Sequence, residues 1–334
     1  MNKRILMVLL ASAASILYAE RFSVLYFNVW SGVSGKGVFS SKSFEQPGAH
    51  DFRYELLIDG LKSFKPTFAG LSELNPLNSV TKRIAADTER IAIPVGENGG
   101  LRVGIVGLPY NLYVGSALFG TKESAIEEAG TARLSGSFAG NTAFLGSARK
   151  ILMCKASVKG EEIYLALTNW SEGLYADEAN FKNLVTLNGK NALPGDKMLD
   201  IMEESMAMEN RRQKEAQATV DFINRIAGQA PVILMGTLSC ATDSEEYRLL
   251  IDSGFKDAWT SGEGITWDES RNTNIKAQEA DLYKAGVSRD RVDYIMYRGR
   301  GLKVLSSRLV FDSPTFSTYP SDHFGLLSVF DLQR

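Results

Sequence analysis

Cysteine is nearly absent: Cys154 and Cys240 are the only two in 334 residues, which excludes a disulfide-stapled scaffold and a four-cysteine zinc site. Neither device is needed, because a chain of this length with 44% hydrophobic residues can bury a large core, and both cysteines read as free, buried thiols. Basic clusters are missing too. No grouping of Lys and Arg exceeds pairs such as Arg211-Arg212, and the formal charge is −2, so no basic face for nucleic-acid phosphates is evident. There is no Pro/Ser-rich linker, internal repeat or low-complexity tract to mark an inter-domain boundary. Long apolar runs are also lacking. The longest, Ile5 to Ala19, has 15 residues, short of the ~20 that a spanning helix needs. Preceded by Lys3 and Arg4 and ending in small residues, it makes residues 1–19 a secretory signal by composition. The expectation is a secreted or periplasmic protein whose single domain occupies residues 20–334. Removing Lys3 and Arg4 leaves 35 basic against 39 acidic residues, a net −4.

What is present is organised around Pro231 to Ser244, PVILMGTLSCATDS. Val232 to Met235 reads as a fully buried strand, and Gly236 reads as the residue that permits a tight turn after it. Other strand-like runs end in polar residues. Arg21 to Trp30 carries Asn28, and Thr67 to Leu74, preceded by a helical period over Phe52 to Phe64, carries Glu73. A carboxylate at the end of a buried strand is costly unless a cation or a donor pairs it, which makes Glu73 a candidate metal ligand. Lys150 to Val158 and Glu162 to Asn169 read as paired strands with Asn169 at the end of the second. Between them and Glu73, the glycine-rich stretch 95–147 suggests two or three strands over Arg102 to Phe119. Leu199 to Ala227 reads as a long helix whose charges form a solvated face. His50, beside Pro47 and Gly48, reads as an incidental loop residue. Near the C-terminus stand Arg291-Val292-Asp293-Tyr294-Ile295 and Pro320-Ser321-Asp322-His323-Phe324.

Taken in order, Asn28, Glu73, the Gly236 stretch, Asp293 and Asp322-His323 resemble the endonuclease/exonuclease/phosphatase superfamily, the metal-dependent DNase I-like fold. The likeness covers Arg21 to Phe330. It implies an α/β four-layer sandwich, two packed β-sheets flanked by helices; a doubly wound parallel fold is the runner-up. It also implies Mg²⁺ or Ca²⁺ held by Glu73, Asp322 and Asn28, with His323 as base or phosphate ligand and Asp293 orienting it. Three catalytic positions of the family, those of Asn169, Thr237 and Ser239, depart from its pattern. Gly-Asp-Phe-Asn is replaced by Gly236-Thr237-Leu238-Ser239, and Thr-His by Thr168-Asn169. Thr237 cannot ionise near neutral pH, and Asn169 cannot carry a charge.

The resemblance therefore implies a metal-dependent phosphoester hydrolase with impaired chemistry, and the expectation is a monomer acting on a small phosphoester, a phospholipid or a nucleic acid. The alternative is a non-catalytic pseudoenzyme that uses the cleft to bind a phosphorylated ligand or a protein partner.

Overall fold

The computed structural model describes residues 20–34, 42–43, 45, 48–103, 106–136, 148–158, 160–172, 182, 185–186, 188–190, 194–276 and 289–333. Residues 1–19, with the signal reading, lie outside them.

Two six-stranded sheets carry the fold. The first holds β1 (Glu20–Asn28), β2 (Phe68–Leu74), β3 (Ile91–Val103), β4 (Val106–Gly120), β11 (Leu302–Val310) and β12 (Gly325–Leu332) in the order β11-β12-β1-β2-β4-β3. The second holds β5 (Glu127–Gly136), β6 (Ala148–Val158), β7 (Glu161–Thr168), β8 (Val232–Thr237), β9 (Lys256–Asp257) and β10 (Asp293–Arg298) in the order β9-β10-β8-β7-β6-β5. Helices α1 (Ala49–Phe64) and α2 (Leu77–Asp87) cover one outer face, and α3 (Gly195–Ala227) and α4 (Glu245–Asp252) cover the other. This is the four-layer sandwich that the resemblance implies. Its mixed sheets set aside the doubly wound parallel alternative.

Strand periodicity assigns each residue to a layer. On β1, Val24 and Tyr26 point between the sheets, while Leu25 and Phe27 pack under α1 and α2. On β8, Ile233 and Met235 enter the same inner layer, while Val232 and Leu234 face α3. Ile295 and Tyr297 of β10 repeat the pattern. Continuing each alternation by one step puts Asn28, Thr237 and Asp293 on the inner face, where the apolar layer ends.

Strand direction collects those ends at one edge. β1 runs parallel to β2, with Asn28 opposite Ser72, and β8 runs parallel to β7. β10 is antiparallel to β8, with Asp293 at its start opposite Thr237. β12 is antiparallel to β1 and begins just after His323. C-terminal ends of four strands and N-terminal ends of two thus surround one opening.

Several expectations are corrected here. The organising strand continues through Gly236 to Thr237, so the glycine lies in the strand, and the left-handed residue beyond it is Ser239 at φ 49°. Gly236 is required for a different reason: a Cβ there would sit 1.7 Å from the Thr168 carbonyl oxygen on the neighbouring strand. The charges of α3 are not all solvated. Arg212 and Glu215 are fully buried, Arg212 against the equally buried Glu246, and Glu215 accepting from the backbone N–H and hydroxyl of Ser171. His50 sits in the first turn of α1 rather than in a loop, with Nε2 2.7 Å from the Asn75 carbonyl. Strands β3 and β4 pair antiparallel with each other along their lengths, in place of two or three strands over Arg102 to Phe119. Both cysteines, by contrast, are free and buried as expected.

Candidate functional site

At the open edge of the inner layer, side chains from both sheets join in one hydrogen-bonded network. Its centre is the Thr237 hydroxyl, which donates to Asp293 Oδ1 at 2.7 Å and lies 2.8 Å from the Tyr26 hydroxyl. Asn28 Nδ2 donates to it at 3.3 Å and to Glu73 Oε1 at 2.9 Å. The other carboxylate oxygen of Glu73 accepts from the Ser31 backbone at 3.1 Å. The second oxygen of Asp293 lies 2.7 Å from His323 Nδ1, and the far ring nitrogen is 3.9 Å from Asp322 Oδ1. Trp267 meets the imidazole edge to face at 4.8 Å.

Tyr26 forms the floor. Fully buried on the inner face of β1, it reaches Ser72 Oγ at 2.7 Å and donates to Asn169 Oδ1 at 3.0 Å, besides its contact with Thr237. Asn169 also accepts from the Thr237 backbone N–H at 3.2 Å. Its amide nitrogen reaches Ser116 Oγ at 3.4 Å, and that hydroxyl donates to the buried Glu97 at 2.6 Å.

The charges within this enclosure perturb one another. Burial raises the Glu73 pKa, and the negative charges of Glu172 and Asp322 raise it further, against the hydrogen bond from Asn28. Burial also lifts the Glu97 carboxyl to about 7, partly offset by Ser116. For His323, burial acts downward, but Asp293 and Asp322 outweigh it and push the pKa up to about 10. A ring held as the cation donates through both nitrogens.

The structure brings Asn28, Glu73, Asn169, Thr237, Asp293, Asp322 and His323 to this one edge, each buried or half-buried. Ser239 is buried beside Thr237, its backbone donating to the Val292 carbonyl, and among the described residues its side chain joins no hydrogen bond of this network. Three residues here, Trp30, Glu73 and Ser239, take the left-handed conformation, at φ 58°, 57° and 49°. Tyr26, Ser72, Ser116 and Glu97 were not among the residues singled out from the sequence. Tyr26 was findable, since it shares the inward alternation of Val24 and Asn28; Glu97, in a glycine-rich stretch, gave no such signal.

The donor set suits a hard cation poorly. Glu73 and Asp322 offer carboxylates, but both Glu73 oxygens already accept protein donors, and the Asn28 carbonyl oxygen accepts the Trp30 N–H at 3.0 Å. Thr237 adds no charge. Among the described residues no group of three or more acidic, histidine or cysteine side chains could hold a metal ion.

Compared with family models and with curated proteins, the chain matches none. Solved structures do share its fold. An endonuclease/exonuclease/phosphatase from Bacteroides vulgatus superposes with a TM-score of 0.60 at 14% identity, covering 94% of this chain and 99% of that one. The human Nocturnin catalytic domain with bound sulfate anion gives 0.60 at 15% identity, over 94% and 96%. D. rerio TDP2 complexed with single-strand DNA product gives 0.58 at 14% identity, over 93% and 98%. At such identities the likeness is one of fold.

Proposed function

We propose that this chain, which has the endonuclease/exonuclease/phosphatase fold, is an exported, monomeric protein that binds a phosphoester in the cleft and hydrolyses it only at a slow residual rate. The observation that carries this reading is the Thr237 hydroxyl. It donates its one proton to Asp293 and receives Asn28, with the Tyr26 hydroxyl at 2.8 Å, so it is engaged on every side and offers neither a negative charge nor a base. The position that would carry a carboxylate in the hydrolase pattern belongs here to a neutral, self-satisfied network. Glu73 and Asp322 are the residues that would hold Mg²⁺ or Ca²⁺, and with so few free oxygens they would hold it weakly. Sulfate bound to one structural neighbour and DNA product bound to another support a phosphoester as the ligand class.

Calorimetry of the mature protein with inorganic phosphate, then with Mg²⁺ and Ca²⁺, followed by a panel of phosphodiesters and phosphomonoesters, tests the reading. Phosphate binding with barely measurable turnover is expected. Vigorous metal-dependent turnover that disappears in His323→Ala would overturn it.

A further inference from the structure

We infer that Arg53 is a positioning residue for this site: its guanidinium joins the loop that follows Asn28 to the loop that carries Asp322 and His323. Arg53 lies in α1, which carries no residue of the network, and among the charged positions of that helix its sequence context gives it no distinction. Yet its side chain is only 2% exposed. Every one of its N–H groups has a partner. Nε and Nη2 form a forked pair with Glu45 at 2.5 and 2.9 Å. Nη2 also donates to the Trp30 carbonyl at 3.1 Å, and Nη1 donates to the carbonyls of Val29 and Pro320, both at 2.7 Å. The guanidinium also lies over the Trp30 ring at 4.8 Å.

The choice of acceptors gives the arrangement its meaning. Val29 and Trp30 directly follow Asn28, and Trp30 is one of the left-handed residues at the site. Its own N–H is held by the Asn28 side chain, so fixing the two carbonyls fixes the amide that donates to Glu73 and Thr237. Pro320 stands at the start of the loop in which the Ser321 hydroxyl accepts the His323 N–H at 3.1 Å and donates to Asp322 Oδ1 at 3.0 Å. One nitrogen therefore joins two loops whose residues are separated by 291 positions along the chain between Val29 and Pro320. A planar, five-donor group is the only side chain that can satisfy three carbonyls and a carboxylate together. Lysine, with three donors on one atom, cannot.

Arg53→Lys and Glu45→Gln, with Arg298→Lys as a control that also loses bonds to loop carbonyls but at the half-buried Ser253 and the exposed Gly228, separate positioning from general stability. Three quantities are read on each: the melting temperature, the ring ¹⁵N and ¹³C resonances of His323, and the affinity for inorganic phosphate. Arg53→Lys should displace the His323 resonances and weaken phosphate binding by about tenfold or more, the scale seen when a supporting group behind a site is removed. The control should lower the melting temperature and leave both site readouts in place. Should Arg53→Lys not fold, Glu45→Gln decides, because it frees the fork while keeping the guanidinium; it should move the same resonances by a smaller amount. Unmoved His323 resonances in whichever variant folds, at a melting temperature no better than the control's, would overturn the inference. It rests on the proposed phosphoester reading only through the affinity readout: failure of the native protein to bind phosphate would sink that reading, and the resonances would still decide the role of Arg53.

Discussion

The consequence of exchanging a carboxylate for a hydroxyl at Thr237 extends to its neighbours. A carboxylate there would face Asp293 inside a buried enclosure, and like charges at that separation cannot both be ionised cheaply. The hydroxyl removes the repulsion and lets Asn28 and Asp293 bond to a single oxygen, with the Tyr26 hydroxyl packed against it at 2.8 Å. Thr237→Asp alone should therefore lower stability, by about 1–3 kcal/mol, read as a fall in the denaturation midpoint. With Ser239→Asn and Asn169→His added, phosphodiester turnover should rise above that of the native chain; an unchanged rate would show that other parts of the site are also unfit. Ser239→Asn by itself should be neutral or slightly stabilising, since asparagine tolerates the left-handed backbone that Ser239 adopts. Tyr26→Phe removes one hydroxyl from three buried partners, Ser72, Asn169 and Thr237, and should cost roughly 1–3 kcal/mol in chemical denaturation. No loss in that variant would mean that the floor is not a tight network.

Elements differ in how much they announce themselves. Strands β1, β2, β8 and β10 are apolar on both faces because helices cover one and the opposite sheet the other, and such runs are readable with their polar ends. Asn28, Glu73, Asp293 and His323 were accordingly legible as strand-end residues. The β3–β4 pair was legible only in part, as strands over Arg102 to Phe119, because glycines interrupt its alternation and its bulges shift register between Gly96 and Asn98 and between Gly99 and Leu101. The buried charges of α3 were equally hidden: a helical period shows which face is apolar, but a fully paired Arg212 or Glu215 looks like a solvated one. Strand β3 supplies a pH dependence through Glu97. Its folded pKa, about 7, lies above the ordinary value of 4.5 because burial penalises the charged form. The fold thus binds this proton more tightly than the unfolded chain does, so the contribution is intact below about pH 4.5 and is lost as pH rises toward 7, in total roughly 3 kcal/mol. Glu97→Gln should flatten that part of the stability profile in urea titrations between pH 4.5 and 7. A slope identical to the native one would assign the dependence to other groups.

At the scale of the whole molecule, the site depends on how closely the two sheets approach, because Asn28, Glu73 and Tyr26 come from one and Asn169, Thr237 and Asp293 from the other. Gly70 on β2 sets that approach near the edge. A Cβ built on it would lie 2.5 Å from Met235 Sδ, 3.0 Å from Met235 Cγ and 3.1 Å from Leu167 Cδ1, all on the facing sheet. Gly70→Val must therefore move the methionine or part the sheets, and overpacking of this kind costs about 1–3 kcal/mol. Two outcomes can be told apart. If Met235 yields, stability falls and the His323 resonances stay where they are; if the sheets part, the bonds from Tyr26 to Asn169 and Thr237 lengthen, and the resonances of Asp293-bound His323 move as well. The second is expected, because Met235 is itself fully buried within the close-packed inner layer. Met235→Ala in the same chain should then restore both stability and resonances in part, giving a coupling energy between the two positions that a double-mutant cycle measures. Additive losses would show that the spacing of the sheets is set elsewhere.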